Sequence, residues 1–269
     1  MDFIIDYYFD VGRMRDQLDP VLAGFWFTLK LSILAGIMSL AWGLVLAVLR
    51  QLPGKALAPV RGIAIAYIDI FRGIPLILVL LLVSGFLSSA ASPVGGELLP
   101  REIGVPTWLD QPSPFWYGII ALTLTYGAYM AEVYRAGIEA VPGGQMEASR
   151  SLGMSHGQAM RYIIVPQAVR KVIPPLLNDF IALMKDTSLV LILGLIEVVQ
   201  VGFDYQSSEF NGSILVLGGI FYLIVTIPLA RYVDVLIARE QSRTQRGSSD
   251  AGDRPPAAST GIAGAGTGV

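Results

Sequence analysis

Five apolar stretches, at roughly residues 21–49, 63–89, 115–138, 172–198 and 214–238, alternate with polar connections along the chain. A helix needs about 20 apolar residues to cross the hydrocarbon core of a bilayer, so the pattern predicts an all-α integral membrane protein with five transmembrane helices. The second and fourth stretches carry polar interruptions. In the fourth, Thr187, Ser188 and Gly194 lead on to Gln200 and Gly202 within apolar surroundings. Backbone broken at membrane depth is tolerated only where it is buried in protein or faces water, so a discontinuity beside a cavity is expected there.

The segments outside these stretches differ in character. Residues 1–20 are acidic and aromatic, with Tyr7, Tyr8 and Phe9 suited to a membrane interface, and read as an external N-terminal segment. Residues 21–240 form the transmembrane domain. The connection at about 90–114 holds Pro93, Pro100, Pro106, Pro112 and Pro114 and is long enough to fold over an external mouth. Residues 241–269 turn to Ser, Gly, Ala, Pro and Thr, too poor in apolar bulk to pack, which predicts a disordered cytoplasmic tail.

Composition agrees: hydrophobic residues make up 54% of the 269 and charged residues 15%, with a mean hydropathy of +0.60. The net charge of -2 conceals a strong sidedness and gives no reason to expect a nucleic-acid partner. Arg50, Lys55, Arg61 and Arg72 surround the first connection, Arg135, Arg150, Arg161, Arg170 and Lys171 the third, and Arg231, Arg239, Arg243, Arg246 and Arg254 follow the last stretch. The opposite connections hold only Arg13, Arg15 and Arg101 among many acids. Short cytoplasmic loops collect Lys and Arg, so the N-terminus is expected outside and the C-terminus inside. No basic segment precedes the first apolar run, so that run is expected to stay as a membrane helix rather than be cleaved. The absence of cysteine removes disulfides, thiolate catalysis and iron–sulfur ligation. His156, the single histidine, is expected as a solvated loop residue and not as a metal ligand.

Polar side chains inside the spans mark a candidate path, because ionisable groups in a spanning helix are costly and face a bundle interior or water. At 3.6 residues per turn, Asp179 and Asp186 share one line of the fourth span, and Asn178 and Lys185 the adjacent one. Together they predict one polar face, continued by Thr187 and Ser188. For Lys185 and Asp186 two readings stay open: contact with a solute, or neutralisation of partners elsewhere in the bundle. In the third span Thr125, Tyr129 and Glu132 fall on one stripe, and Glu132 is expected to pair with Arg135 three residues on.

Between the third and fourth spans, residues 144–166 are polar and broken by glycine. Glu147 is expected to open a short helix with the small residues Ala148, Ser149 and Ser151, placing its carboxylate in the first turn. Gly153 ends it where a left-handed residue is needed. A second run from Ser155 carries Arg161 and is expected to stop before Pro166. Two short helices of this kind between apolar spans form a cytoplasmic knob.

The spacing of Glu147-Ala148-Ser149, Gly153 and Ile163-Ile164-Val165-Pro166 resembles the EAA-x3-G-x9-I-x-L-P signature of the membrane subunits of ATP-binding-cassette importers, with Ser149 and Val165 as substitutions. Three further stretches are similar to the permeases of polar-amino-acid importers. They are Tyr67 to Leu76, with Ile74 where that family has threonine; Ala128 to Ile138; and Pro166-Gln167-Ala168 with Asn178, Leu183 and Lys185-Asp186-Thr187-Ser188-Leu189. The resemblance implies a type I importer permease of five helices in a bacterial cell membrane, paired with an identical or similar permease and embedded in lipid. It implies ATPase subunits inside and an amino-acid-binding protein outside. It also implies that Glu147, Ala148, Ser149 and Gly153 couple the knob to the ATPase. The permease would bind no cofactor or metal and catalyse no reaction. No G-x-x-x-x-G-K-[ST] occurs, since Gly54-Lys55 is followed by Ala56, so ATP and magnesium would be used by the partner. An ion-coupled secondary transporter usually has internal repeats and around twice as many helices, and a membrane scaffold has no need of an intramembrane Lys-Asp pair.

Overall fold

The computed structural model describes residues 2–91 and 113–252, and every regular element among them is helical. Most of the proline-rich connection and residues 253–269 of the tail lie outside the described residues. The chain runs through α1 (Asp2–Tyr8), α2 (Val11–Asp16), α3 (Leu18–Arg50), α4 (Ala58–Gly73), α5 (Leu76–Ala91), α6 (Ser113–Glu139), α7 (Gly143–Ser151), α8 (His156–Ala159), α9 (Val165–Asp186), α10 (Val198–Glu209) and α11 (Ser213–Gly252). By length and composition, Leu18–Arg50 and Ser213–Ser242 can each cross a membrane unaided, and Ala58–Gly73 with Leu76–Ser88 can do so as a bent pair. α6 and α9 are long enough but fall short in composition, because they carry the polar residues described below.

Helix α3 is the mast of the bundle. Its buried face is built from small residues, Gly24, Thr28, Ser32, Ala35, Gly36, Ser39, Gly43 and Ala47, recurring about once per turn. Small residues let helix backbones approach closely where lipid offers no hydrophobic drive between helices. A Cβ on Gly43 would lie 2.9 Å from the Gly127 carbonyl oxygen of α6, and one on Gly24 would lie 3.1 Å from the backbone nitrogen of Val198 in α10. Two hydroxyls on this face are satisfied within the helix, Thr28 donating to the Gly24 carbonyl at 3.1 Å and Ser32 to that of Thr28 at 2.8 Å, whereas the buried Ser39 Oγ has no hydrogen bond. Leu31, Leu80, Phe115, Ile119, Leu122, Leu183 and Val190 fill the centre between α3, α5, α6 and α9, and Val21, Phe25, Val198 and Ile214 form a second core where α3 meets α10 and α11.

The second apolar stretch is not one helix. It breaks between α4 and α5 with a bend of 112°. Pro75 disfavours helical backbone at the residue before it, and Ile74 is accordingly extended at φ -95 and ψ 133. The fourth stretch also breaks, as expected: α9 tightens into a 3₁₀ turn over Thr187–Leu193, and Gly194 turns left-handed at φ +75. The chain restarts as α10, whose first amides, Val199 N–H and Gln200 N–H, donate to the fully buried carboxylate of Glu197 at 2.9 and 2.8 Å.

One boundary differs from the sequence reading. α11 continues as helix to Gly252, so the first part of the expected disordered tail is helical backbone. The N-terminal segment is folded onto the other end of α11: Gly212 N–H donates to the Tyr7 carbonyl at 2.9 Å, Asn211 Nδ2 to that of Asp6 at 3.0 Å, and Asp10 N–H to Ser213 Oγ at 3.0 Å.

The contact at Gly43 gives a direct test of close packing. Gly43→Ala should lower stability by about 1–3 kcal/mol, the usual cost of overpacking. Gly85→Ala, where a Cβ meets nothing within 4 Å, should leave it unchanged or raise it. Melting the purified protein in detergent measures both, and equal stability of the two variants would show that the α3–α6 approach is not tight.

Candidate functional site

The break between α4 and α5 opens onto the polar sides of α6 and α9 and encloses a cavity of about 410 Å³. Arg72, Gly73, Ile74, Pro75 and Leu76 supply one wall, Thr125, Tyr126 and Tyr129 of α6 the second, and Asp179, Ala182 and Asp186 of α9 the third. Tyr126 Oη donates to Asp186 Oδ2 at 2.8 Å, which holds that carboxylate at the wall. The Arg72 guanidinium lies 5.7 Å from the centre of the Tyr129 ring, a cation–π arrangement. Two groups at the wall are left without a hydrogen bond: Asp179 Oδ2 and Thr125 Oγ1, both buried. A buried polar atom without a partner is costly, so the cavity offers an acceptor and a hydroxyl that a polar solute or water would satisfy.

Of the residues singled out in the sequence, Thr125, Tyr129, Asp179 and Asp186 meet at this cavity. The single polar face expected on α9 divides. Asn178 and Lys185 point away onto a side that no other described helix covers, because they sit just past the edge of the cavity-facing stripe. Thr187 is fully buried and donates to the Met184 carbonyl at 2.6 Å, which ties it to the 3₁₀ turn, and Ser188 does not line the cavity either. Glu132 leaves the stripe as well. It pairs with Arg135 and also with Arg50 of α3, and Arg135 pairs in turn with Glu139, joining the ends of α3 and α6.

Two polar side chains of the cavity, Arg72 and Tyr126, were not anticipated. Arg72 was counted among the charges of a connection, yet it stands in the last turn of α4, where a cation suits the helix C-terminus. Its position just before Ile74-Pro75 was the available signal. Tyr126 could have been inferred from its place one residue after Thr125 and one turn from Tyr129.

The 144–166 segment forms the knob, with corrections. α7 begins at Gly143, after the extended Pro142, so Glu147 lies in its middle and not in its first turn. The C-terminus is a Schellman closure: Gly153 N–H donates to the Arg150 carbonyl at 3.0 Å and Met154 N–H to that of Ser149 at 3.1 Å, with Gly153 at φ +84. Glu147, Ala148 and Gly153 face outward, as does Leu152 at 84% exposure. Ser149 is buried, its hydroxyl donating to the Gln145 carbonyl at 2.6 Å, so it braces the knob from within. The second run starts with a capping box between Ser155 and Gln158. It does not stop before Pro166. A π turn over Met160–Ile164 carries the helix directly into α9, and the wider turn accommodates the proline. Val141, Ile164 and Ala168 with Met146 and Met160 bind the knob to the ends of α6 and α9. His156 is exposed at the start of α8, and no group of three metal-ligating side chains occurs among the described residues.

Residues 39–242 match the family described as binding-protein-dependent transport system inner membrane component. The chain is 34% identical over 231 residues to the probable glutamine ABC transporter permease protein GlnM of Bacillus subtilis, covering 86% of this chain and 97% of that protein. It is 33% identical over 238 residues to the glutamate/aspartate import permease protein GltK of Escherichia coli O157:H7, covering 87% and 99%. A solved structure described as an amino acid ABC transporter with histidines superposes with a TM-score of 0.72 at 31% identity, covering 86% of this chain and 98% of that one. The MetNI methionine ABC transporter, at 21% identity and a TM-score of 0.62, shares the fold.

The two hydroxyls at the cavity wall should respond differently to removal. Tyr126→Phe deletes a hydrogen bond to a charged group and should cost about 1.5–3 kcal/mol of stability. Thr125→Val removes a hydroxyl that has no bond to lose and should leave stability unchanged or raise it. Thermal unfolding of the two variants checks this, and a neutral Tyr126→Phe would mean that the bond to Asp186 does not persist.

Proposed function

The chain belongs to the inner-membrane components of binding-protein-dependent transport systems, and from that premise we propose that it is the permease subunit of an ATP-binding-cassette importer for polar amino acids, its solute passing through the cavity between α4, α6 and α9. It is not an enzyme. ATP hydrolysis belongs to a separate subunit, which uses ATP and magnesium, and a soluble binding protein delivers solute from outside. A second permease, identical or similar, completes the pathway within the lipid bilayer.

The observation that carries this reading is the charge arrangement of the cavity. Arg72 stands across from Asp179 and Asp186, with Thr125 Oγ1 and Asp179 Oδ2 unsatisfied. An α-amino acid has a carboxylate for Arg72 and an ammonium for the aspartates. Arginine's planar fork suits a carboxylate, and an ammonium can donate to several acceptors at once.

Five spans fit the helices: α3, the bent α4–α5 pair, α6, α9 with its 3₁₀ turn, and α11. The knob and the Arg50–Glu132 junction then lie at one end of the bundle, and α1, α2 and the start of α11 at the other, which supports an external N-terminus and an internal C-terminus. Glu147, Ala148 and Gly153, with the exposed Leu152, form the surface offered to the ATPase, and Ser149 supports it from below.

Uptake by the purified transporter in liposomes, normalised to assembled complex, tests the path and the coupling together. Asp186→Asn should lower uptake per complex about tenfold or more, the scale of a lost interaction to a charged group. Gly153→Val should abolish uptake while the permease stays in the membrane. Open space surrounds Gly153, so the fault would be its left-handed backbone, which a β-branched residue resists. Unchanged uptake per complex in Asp186→Asn removes that residue from the path.

Orientation has its own measurement in a chain without cysteine. A cysteine at Ser207, near the end of α10, should react with an impermeant maleimide in intact cells. One at Ser151, on α7, should react only after lysis. The reverse pattern would overturn the proposed topology.

A further inference from the structure

An apolar groove in two lobes lies on the side of α6 that faces away from the polar cavity. In the first lobe, of about 450 Å³, Met38, Ala41, Trp42 and Val45 of α3 face Ile120 and Leu124 of α6. In the second, of about 380 Å³, Phe71 and Ile74 at the α4–α5 break and Val79, Val83 and Phe86 of α5 face the same Ile120 and Leu124. Those two side chains form the ridge between the lobes. Ile120 stands about two and a half turns before Tyr129 of the cavity wall, which puts the two on opposite sides of α6.

Among the described residues neither lobe is lined by a charged side chain, and the polar atoms beside the first lobe are turned inward. Trp42 Nε1 donates to Tyr67 Oη at 2.9 Å, and Tyr67 Oη donates to the Leu124 carbonyl at 2.9 Å, so the indole presents hydrocarbon to the groove. Thr123, on the same wall, is 8% exposed, and its Oγ1 has no hydrogen bond. The groove opens outward, where Val45, Leu82 and Phe86 are all exposed. Ile74 lines both the second lobe and the polar cavity, so the residue at the break is the partition between them.

We propose that this groove is a phospholipid site, with one acyl chain lying in each lobe astride the Ile120–Leu124 ridge. An apolar cavity takes an apolar guest, because water finds too few polar partners there. Left unfilled, its walls forgo the dispersion contacts of a packed interior. A helix of another protein is about 10–12 Å across with its side chains, so it would ride over the ridge and leave both lobes unfilled. Two hydrocarbon chains joined at one head group straddle it. The chain in the second lobe backs Ile74 from the side opposite the solute and holds the break between α4 and α5 to the shape that walls the cavity. This inference rests on the membrane-permease reading for its setting. Its primary readout is lipid contact and not transport.

With Trp26, Trp108 and Trp116 changed to Phe, Trp42 is the only tryptophan left in the chain and reports on the first lobe. The purified full-length chain in detergent micelles is titrated with a phospholipid brominated in its acyl chains, a contact quencher of tryptophan. Quenching should level off at equimolar lipid, and unbrominated phospholipid should reverse it. A chain that keeps only Trp26, exposed on α3 outside the groove, should follow total lipid without a plateau. Ala41→Phe, at an exposed position of the first lobe, fills that lobe and should abolish the plateau. Thr123→Val should keep or strengthen it, since hydrocarbon asks nothing of the hydroxyl. Trp42 quenching that follows total lipid as Trp26 does, or a plateau lost in Thr123→Val and kept in Ala41→Phe, overturns the site. The unsubstituted chain with its ATPase subunit gives a readout free of the tryptophan changes. Its solute-stimulated ATPase activity in the same micelles should rise with added phospholipid and level off at the same ratio, and activity indifferent to lipid overturns the support given to the break. If the complex shows no ATP-driven uptake in liposomes while the Trp42 plateau persists, the functional reading falls and the lipid site stands.

Discussion

A backbone group that has lost its helical partner cannot be left facing lipid, and that constraint organises this bundle. Pro75 ends α4, and the tightening after Asp186 ends α9. Each break frees carbonyls and amides inside the apolar stretches. Both breaks face the same interior region, and the cavity lies where the first of them meets the polar sides of α6 and α9. Polar surface is therefore concentrated in one place, and the outer surfaces of α3 and α11 remain free to be apolar. The exposed leucines, isoleucines and valines on those outer faces are what a lipid-facing surface requires.

The close approach of α3 to its neighbours follows from the same economy of polar groups. Thr28 and Ser32 on its packed face bond their own helix, and Thr28 also serves a neighbour when it accepts from Val198 N–H at 3.4 Å. Glycines at 24 and 43 then bring α10 and α6 to near backbone contact, and Gly36 receives the Phe180 ring of α9. Dispersion over many short contacts replaces the hydrophobic drive that water would supply. The ion pairs joining α3 to α6 are confined to the helix ends, where water screens what the bundle does not.

What could be read in the sequence was local. Helical periodicity puts Asp179 and Asp186 on one line, and they share the cavity; the glycine at 153 announces a left-handed closure, and φ is +84 there. The pairing of Glu132 with Arg135 spans three residues and was visible, but that with Arg50 spans 82 and was not. Periodicity alone also could not divide the polar side of α9. Asn178 and Asp179 differ by one step of the helix, and which of them meets the cavity depends on where α4 and α6 pack. Glu147 was misplaced in its helix because Pro142, an unremarkable residue five positions earlier, sets the start.

The run of helix from α8 through the π turn into α9 has no extended residue from His156 to Asp186. The capping box at Ser155 and the two aspartates at the cavity belong to one continuous helical rod, which carries Pro174 and Pro175 between them. α7 is fastened to the base of that rod by Met146, Met160 and Ile164 and closed by Gly153. Under the proposed coupling, a tilt of the knob would pass along this rod and move Asp179 and Asp186 relative to Arg72, which is carried by α4 on a separate support. Under that reading the angle of α9 would set the distance between the cavity's opposite charges. A partner surface that grips Glu147 and Leu152, as proposed, would then change that distance without touching the cavity itself.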